Sequence, residues 1–151
     1  MAAANSSFEP FHGSESRALD AKNRATVPSG WSVAEGAEFF LVPDRTSTFL
    51  HVMPPPYFNA VDKRLASNTT MSAAKRAVFQ RQFFSRARRV FTDSQRRLLI
   101  PDELRKQLEL RENVWFVGAG ETFQIWSDAR WSAQTAADES TYAEVAEELG
   151  L

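Results

Sequence analysis

The stretch that decides the fold is "LDAKNRATVP", residues 19–28. It gathers Asp20, Lys22, Asn23 and Arg24, turns apolar and stops at Pro28. Nearly the same run returns as "FTDSQRRLLIP", residues 91–101. Asp20 and Asp93 stand 73 apart, and at that offset Arg24 meets Arg97 and Pro28 meets Pro101. Both copies read D-x-x-x-R-x-x-[VI]-P. An internal repeat of this kind sets the architecture before any single element is assigned.

The similarity runs on. "FFLVPDRTSTFLHVM" from Phe39 matches "VWFVGAGETFQIW" from Val114, with a loop shorter by two in the second copy. Met53 then meets Trp126, and Phe58 meets Trp131, again 73 apart. "RATVP" and "RRLLIP" read as short strands ended by a proline, which cannot extend a central ladder. After Pro101, "DELRKQLE" places acids at a helix start and Leu104 four residues before Leu108, which predicts a short helix. Its counterpart "SGWSVAEG" reads as a weaker helix. "VWFV", "GAGE" and "TFQIW" predict a hairpin, with Gly118 and Gly120 permitting positive φ at the turn. "FFLV" and "FLHVM" around "PDRTST" are the matching pair. Each half is therefore strand, helix, strand, strand, and half a core of this size is marginal alone, so the halves should share a sheet.

Between them, residues 57–66 read as one helix, broken at "SNTT". Ser72 can cap a second, with Met71, Ala74, Val78 and Ala87 near helical spacing. Phe79, Phe83 and Phe84 add aromatic area to it, suited to packing on the sheet or on another subunit.

The 151 residues suit one domain or two small halves with one core. With 43 % hydrophobic and 25 % charged residues and no cysteine, the composition is that of a soluble globular protein in a reducing cytosol, without disulfides or cysteine-based metal sites. No apolar run is long enough for a membrane span, and the first residues lack the basic and apolar regions of a secretory signal. Net charge is −1, yet residues 75–97 hold eight bases (Lys75, Arg76, Arg81, Arg86, Arg88, Arg89, Arg96, Arg97) against Asp93 alone. Residues 133–151 hold five acids and no base. That asymmetry points either to a polyanion partner or to a solvated helix whose charges pair with the acidic tail.

In "DAKNR" a tight turn fits, because Asn tolerates left-handed geometry. Asp20 can accept backbone N–H groups in that turn or pair with Arg24 across it. The arginines present planar forks of donors suited to phosphate or to guanine edges. Lys22 with Arg24, and Arg96 with Arg97, give two such points per chain. No H-E-x-x-H, P-loop or G-x-S-x-G occurs. "GAG" lacks the third glycine of a dinucleotide site, and His51 in its apolar strand reads as a satisfied, partly buried histidine. No enzyme, cofactor, metal or small-molecule substrate is expected.

At these residues the chain resembles the MraZ family of two SpoVT-AbrB-like repeats. "FHG" at residues 11–13, "LDAKNRATVP" and "TDSQRRLLIP" follow the family pattern F-x-G, L-D-x-K-G-R-x-x-x-P and D-x-x-G-R-L-x-x-P in order, and "TFQIW" with "SDARW" supplies its aromatic positions Trp126 and Trp131. The resemblance covers residues 11–131. It implies an α+β fold: two pseudo-symmetric SpoVT-AbrB-like βαββ halves sharing a small β-barrel-like core, with helices between and after the repeats. The implied organisation is a flexible extension (1–9), a first repeat (10–58), a helical basic connector (59–90), a second repeat (91–131) and an acidic C-terminal helix or tail (132–151). It further implies a DNA-binding transcriptional regulator, cytoplasmic and nucleoid-associated. Such a regulator forms a ring-shaped homo-oligomer on double-stranded DNA, binds direct repeats upstream of its own division and cell-wall gene cluster, and represses it. Carried over by position, Arg24 and Arg97 contact DNA, Lys22, Arg96 and Asn23 are their DNA-binding neighbours, and Asp20 and Asp93 orient the arginines. The family glycine before each motif arginine is Asn23 in the first copy and Arg96 in the second. Either the second turn is remodelled or Arg96 is an added DNA contact. The alternative function is an oligomeric protein-binding scaffold, or an antitoxin-like module for an acidic partner protein.

Overall fold

The computed structural model describes residues 9–151. The expected extension over residues 1–9 lies outside the described residues, apart from exposed Glu9. In chain order the elements are β1 Ser14–Ala18, β2 Arg24–Thr26, β3 Glu38–Pro43, β4 Leu50–Met53, α1 Pro55–Ser67, α2 Ala73–Arg86, β5 Arg88–Phe91, β6 Arg97–Leu99, α3 Asp102–Gln107, β7 Asn113–Gly118, β8 Phe123–Ser127 and α4 Asp128–Glu148. The fold is α+β. Six strands form one antiparallel sheet in the order β1-β7-β8-β4-β3-β5, and β2 pairs with β6 in a second, two-stranded ladder.

That order reads the same backwards once β1–β4 are exchanged for β5–β8. The exchange passes through two residue pairs. Ala25 faces Leu98 in the small ladder, and His51 faces Gln124 where β4 meets β8. The members of each pair are 73 residues apart, the offset of the sequence repeat. The halves share a sheet through β4–β8, and each also lends its first strand to the other's β-hairpin. β1 pairs with β7 of the second half, and β5 pairs with β3 of the first.

Three expectations need correcting. The barrel-like core is instead an open sheet, among the described residues, whose edges are β1 and β5. β2 and β6 have three residues each, and Pro28 and Pro101, which lack an N–H, stop their ladder before it could bridge those edges. "SGWSVAEG" is not a helix but a run of turns and bends. Trp31 and Val33, two apart, are both buried, which is the period of extended chain and not of a helix. Trp31 Nε1 donates to the His12 carbonyl, and Gly36 turns the chain at φ 74. Gly118, last, does not sit in the hairpin turn. It ends β7, where an added Cβ would lie 2.5 Å from the backbone of Phe11 and His12. Gly120 alone of the two takes positive φ, at 87°.

The core lies between the sheet and the small ladder. Ala25, Val27, Leu98 and Ile100 point into it by period-two alternation, against Leu41, Leu50, Phe116, Phe123 and Ile125. Phe11 and Trp31 cap that core, with ring centroids 5.2 Å apart edge to face, and Phe11 meets Phe123 at 5.0 Å. A smaller cluster seats α1 on the sheet: Phe58 stacks on Phe40 at 3.9 Å and meets Phe83 of α2 at 5.7 Å. Ser72 caps α2 by accepting from the Lys75 N–H, as its position before the helix requires. Ser127 caps α4 in the same way, and Trp131 in its second turn packs on Trp126. No residue of α2 or α4 is fully buried.

Candidate nucleic-acid interface

The repeated decapeptide builds the same loop twice. Asp20 Oδ1 accepts the N–H groups of Lys22 and Arg24, each at 2.9 Å, and Asp93 Oδ1 accepts those of Gln95 and Arg97 at the same distance. Asp20 Oδ2 takes Arg24 Nε at 2.8 Å, and Asp93 Oδ2 takes Arg97 Nε at 2.8 Å. Backbone bonds repeat too: the Asn23 N–H donates to the Asp20 carbonyl and the Arg96 N–H to that of Asp93. The aspartates therefore do both things open to them, closing the turn and holding the arginine.

These bonds set the acidity of the carboxyls. The backbone N–H of Arg24 is the main cause holding Asp20 below the ordinary carboxylate range, with Lys22 N–H and the Arg24 guanidinium adding to it. The backbone N–H of Arg97 leads in the same way for Asp93. A carboxylate that accepts several N–H groups is stabilised in its charged form.

The ladder β2–β6 brings the two loops together. On its outer side stand Arg24, Thr26, Arg97 and Leu99, in the register Arg24↔Leu99 and Thr26↔Arg97. Arg97 Nη1 lies 3.8 Å from Asp20 Oδ2, so the second-half arginine reaches the first-half aspartate. Both arginine side chains keep 27 % of their surface exposed, and their Nη groups make no hydrogen bond among the described residues. They are half-buried forks, each fixed at Nε by its aspartate. Lys22 and Gln95 at the loop tips are both exposed.

The glycine positions answer the question that the sequence left open. Asn23 has φ 62 and Arg96 has φ 58, so the second turn keeps the shape of the first. Such a φ on a residue as large as Arg costs on the order of 1–3 kcal/mol and persists only where its surroundings impose it. Here Arg96 Nε donates to the Val33 carbonyl at 2.8 Å and Nη2 to the Pro28 carbonyl at 3.1 Å. Asn23 Nδ2 reaches Asp102 Oδ1 at 3.3 Å.

Two supporting residues escaped the sequence reading. Thr92, one residue before Asp93, is buried; its Oγ1 donates to the Ala34 carbonyl and accepts the Ala37 N–H, tying the loop's approach to the first half. Asp102 closes the other flank, bonded to Asn23, Arg105 and Lys106. A threonine directly before the charged motif was the available signal for the first. Much of the basic segment is already paired: Arg88 with Glu103 and Arg89 with Glu38. Lys75, Arg81 and Arg86 of α2 make no ion pair among the described residues. His51 is half-buried beside Asp44, with Nε2 3.3 Å from its Oδ1, and burial pushes the imidazole below its ordinary range. Among the described residues no cluster of side chains could hold a metal ion, and no helix is long and apolar enough to cross a membrane.

An open α+β sheet with two matching Asp–Arg loops on one short ladder defines a class of duplicated, loop-presenting proteins. Residues 83–150 match the family model described as "MraZ protein, putative antitoxin-like". The chain is 34 % identical over 139 residues to the transcriptional regulator MraZ of Heliobacterium modesticaldum, covering 92 % of this chain and 96 % of that one. It is 34 % identical to that of Symbiobacterium thermophilum over 140 residues, covering 92 % and 99 %, and 30 % identical to that of Leuconostoc citreum over 139 residues, covering 92 % and 96 %. The chain belongs to the MraZ family.

Proposed function

We propose that this chain is a transcriptional regulator that binds double-stranded DNA through its two Asp–Arg loops. The observation that carries the reading is the meeting of those loops: two arginines 73 residues apart in sequence stand on one face of a three-residue ladder, each held by an aspartate through Nε and each with Nη groups that make no hydrogen bond among the described residues. Fixed guanidinium forks suit phosphate oxygens and guanine edges. The names of the curated relatives support the regulatory role. On this reading Arg24 and Arg97 contact DNA, Lys22 is a phosphate-binding neighbour, Asn23 and Arg96 shape the two turns, and Asp20 and Asp93 orient the arginines. The two halves are SpoVT-AbrB-like repeats. The chain acts in the cytoplasm at the nucleoid, as a ring-shaped homo-oligomer on direct repeats upstream of its own division and cell-wall cluster, which it represses. Loops this short read few bases each, so affinity comes from several subunits engaging successive repeats.

The test is a gel shift with the DNA upstream of the chain's own gene, comparing intact and scrambled repeats. Arg24→Ala and Arg97→Ala should each abolish the shift while leaving particle size by light scattering unchanged. Variants that bind as wild type refute the site; variants that dissociate make the arginines structural.

One feature favours a second reading, a protein-binding or antitoxin-like module. α4 runs 21 residues with none buried and exposes Tyr142, Val145 and Leu149 along one side of its end. A protein partner on α4 would bind with weak salt dependence and without preference for the upstream DNA.

A further inference from the structure

The largest difference between the two loops lies at their left-handed residue. Asn23 and Arg96 share one backbone conformation, and each sends its side chain to the segment that follows the other half's strand. Arg96 does so with two donors on two carbonyls, those of Pro28 and Val33. Its own carbonyl accepts the Val27 N–H at 3.0 Å, so backbone and side chain of one residue grip residues 27–33 together. That segment has no strand or helix of its own, and it must hold Trp31 in the core. A planar fork with a fixed spread of N–H groups can span two carbonyls; an ammonium on a flexible stem cannot hold both in the same geometry. A guanidinium so engaged faces inward, away from any phosphate that meets the loop tips.

We propose that Arg96 is a positioning residue: its side chain staples residues 28–33 of the first half to the second Asp–Arg loop, fixing how Arg24 and Arg97 stand to one another, and it does not contact DNA itself. The positioning role rests on the reading of Arg24 and Arg97 as the DNA-contacting heads. It revises the sequence expectation of Arg96 as a phosphate contact.

Arg96→Gly tests it, since glycine adopts this φ without strain and keeps the turn. Arg96→Lys keeps the charge and loses the fork. In hydrogen exchange on the full chain without DNA, the Trp31 and Val33 amides should exchange about tenfold faster in Arg96→Gly, and faster than wild type in Arg96→Lys as well. In fluorescence anisotropy with the upstream duplex, Arg96→Gly should bind several-fold more weakly with the same log–log dependence on salt. Unchanged exchange overturns the staple. A salt slope reduced by about one also overturns it, because that is the signature of a lost phosphate contact. Wild-type DNA binding by Arg24→Ala would instead refute the reading of the arginine heads, and the exchange measurement would still decide the staple.

Discussion

Asp20 and Asp93 each join a turn to an arginine, so protonating either one loosens both. Both carboxyls are stronger acids in the folded chain than in the unfolded one. The unfolded chain therefore takes up protons first as pH falls. Their contribution to stability is complete above about pH 3.9 and is lost as pH drops through the folded values. Urea titrations between pH 7 and pH 3 should show this acid-limb decline, and Asp20→Asn or Asp93→Asn should flatten it while lowering stability at pH 7. His51 acts higher on the scale. Burial lowers its pKa in spite of Asp44, so below about pH 6.5 the unfolded chain binds the proton first and stability falls. His51→Gln should remove that part of the decline between pH 7 and pH 5. The aspartates and arginines were legible because their partners lie four residues away. Arg96 was not, since its acceptors lie 63 and 68 residues upstream and nothing local marks them.

Elements with an apolar face and a marked turn were legible: the two hairpins, α1, the Ser72-capped α2 and the short α3 all stand where periodicity and caps put them. β1 and β5 were not. "SESRA" and "RRVF" are edge strands with mostly exposed side chains, so no buried alternation announces them. The weak helix expected at "SGWSVAEG" fails because Trp31 is anchored to the His12 backbone and the chain must stay extended to bury Val33 as well. Gly118 shows the same dependence on distant chain. Its value lies in letting residues 11 and 12 pass against β7, where the Gly118 N–H donates to the Gly13 carbonyl at 2.8 Å. Gly118→Ala should therefore cost about 1–3 kcal/mol, a fall in Tm of roughly 3–10 °C in a calorimetric scan. Gly120→Ala would strain a turn instead, with no atom of the described residues in the way.

At the scale of the whole molecule, a net charge of −1 cannot draw DNA by bulk attraction, so the proposed binding rests on local cations. The proposed regulator should still lose affinity steeply with salt, by about 0.9 in log–log slope for each phosphate neutralised, summed over the engaged subunits. Anisotropy titrations on duplexes with one and with several repeats check both terms: the multi-repeat duplex should bind more tightly and with the steeper slope. The duplication was legible because its offset is kept at the decapeptide and at the closing aromatics. The exchange of first strands between halves was not, because the edge strands themselves carried no signal.

That exchange has a consequence for covalent continuity. β1 completes the second half's sheet and β5 the first half's, while Phe83 of α2 packs across the connector on Phe58 of α1. The exposed link at residues 68–70 then carries the chain without holding the fold. A protease cut there should leave one particle, its two fragments co-eluting in size exclusion and parting only in denaturant. Either fragment expressed alone should fail to fold, and the pair mixed from denaturant should reassemble as a split protein.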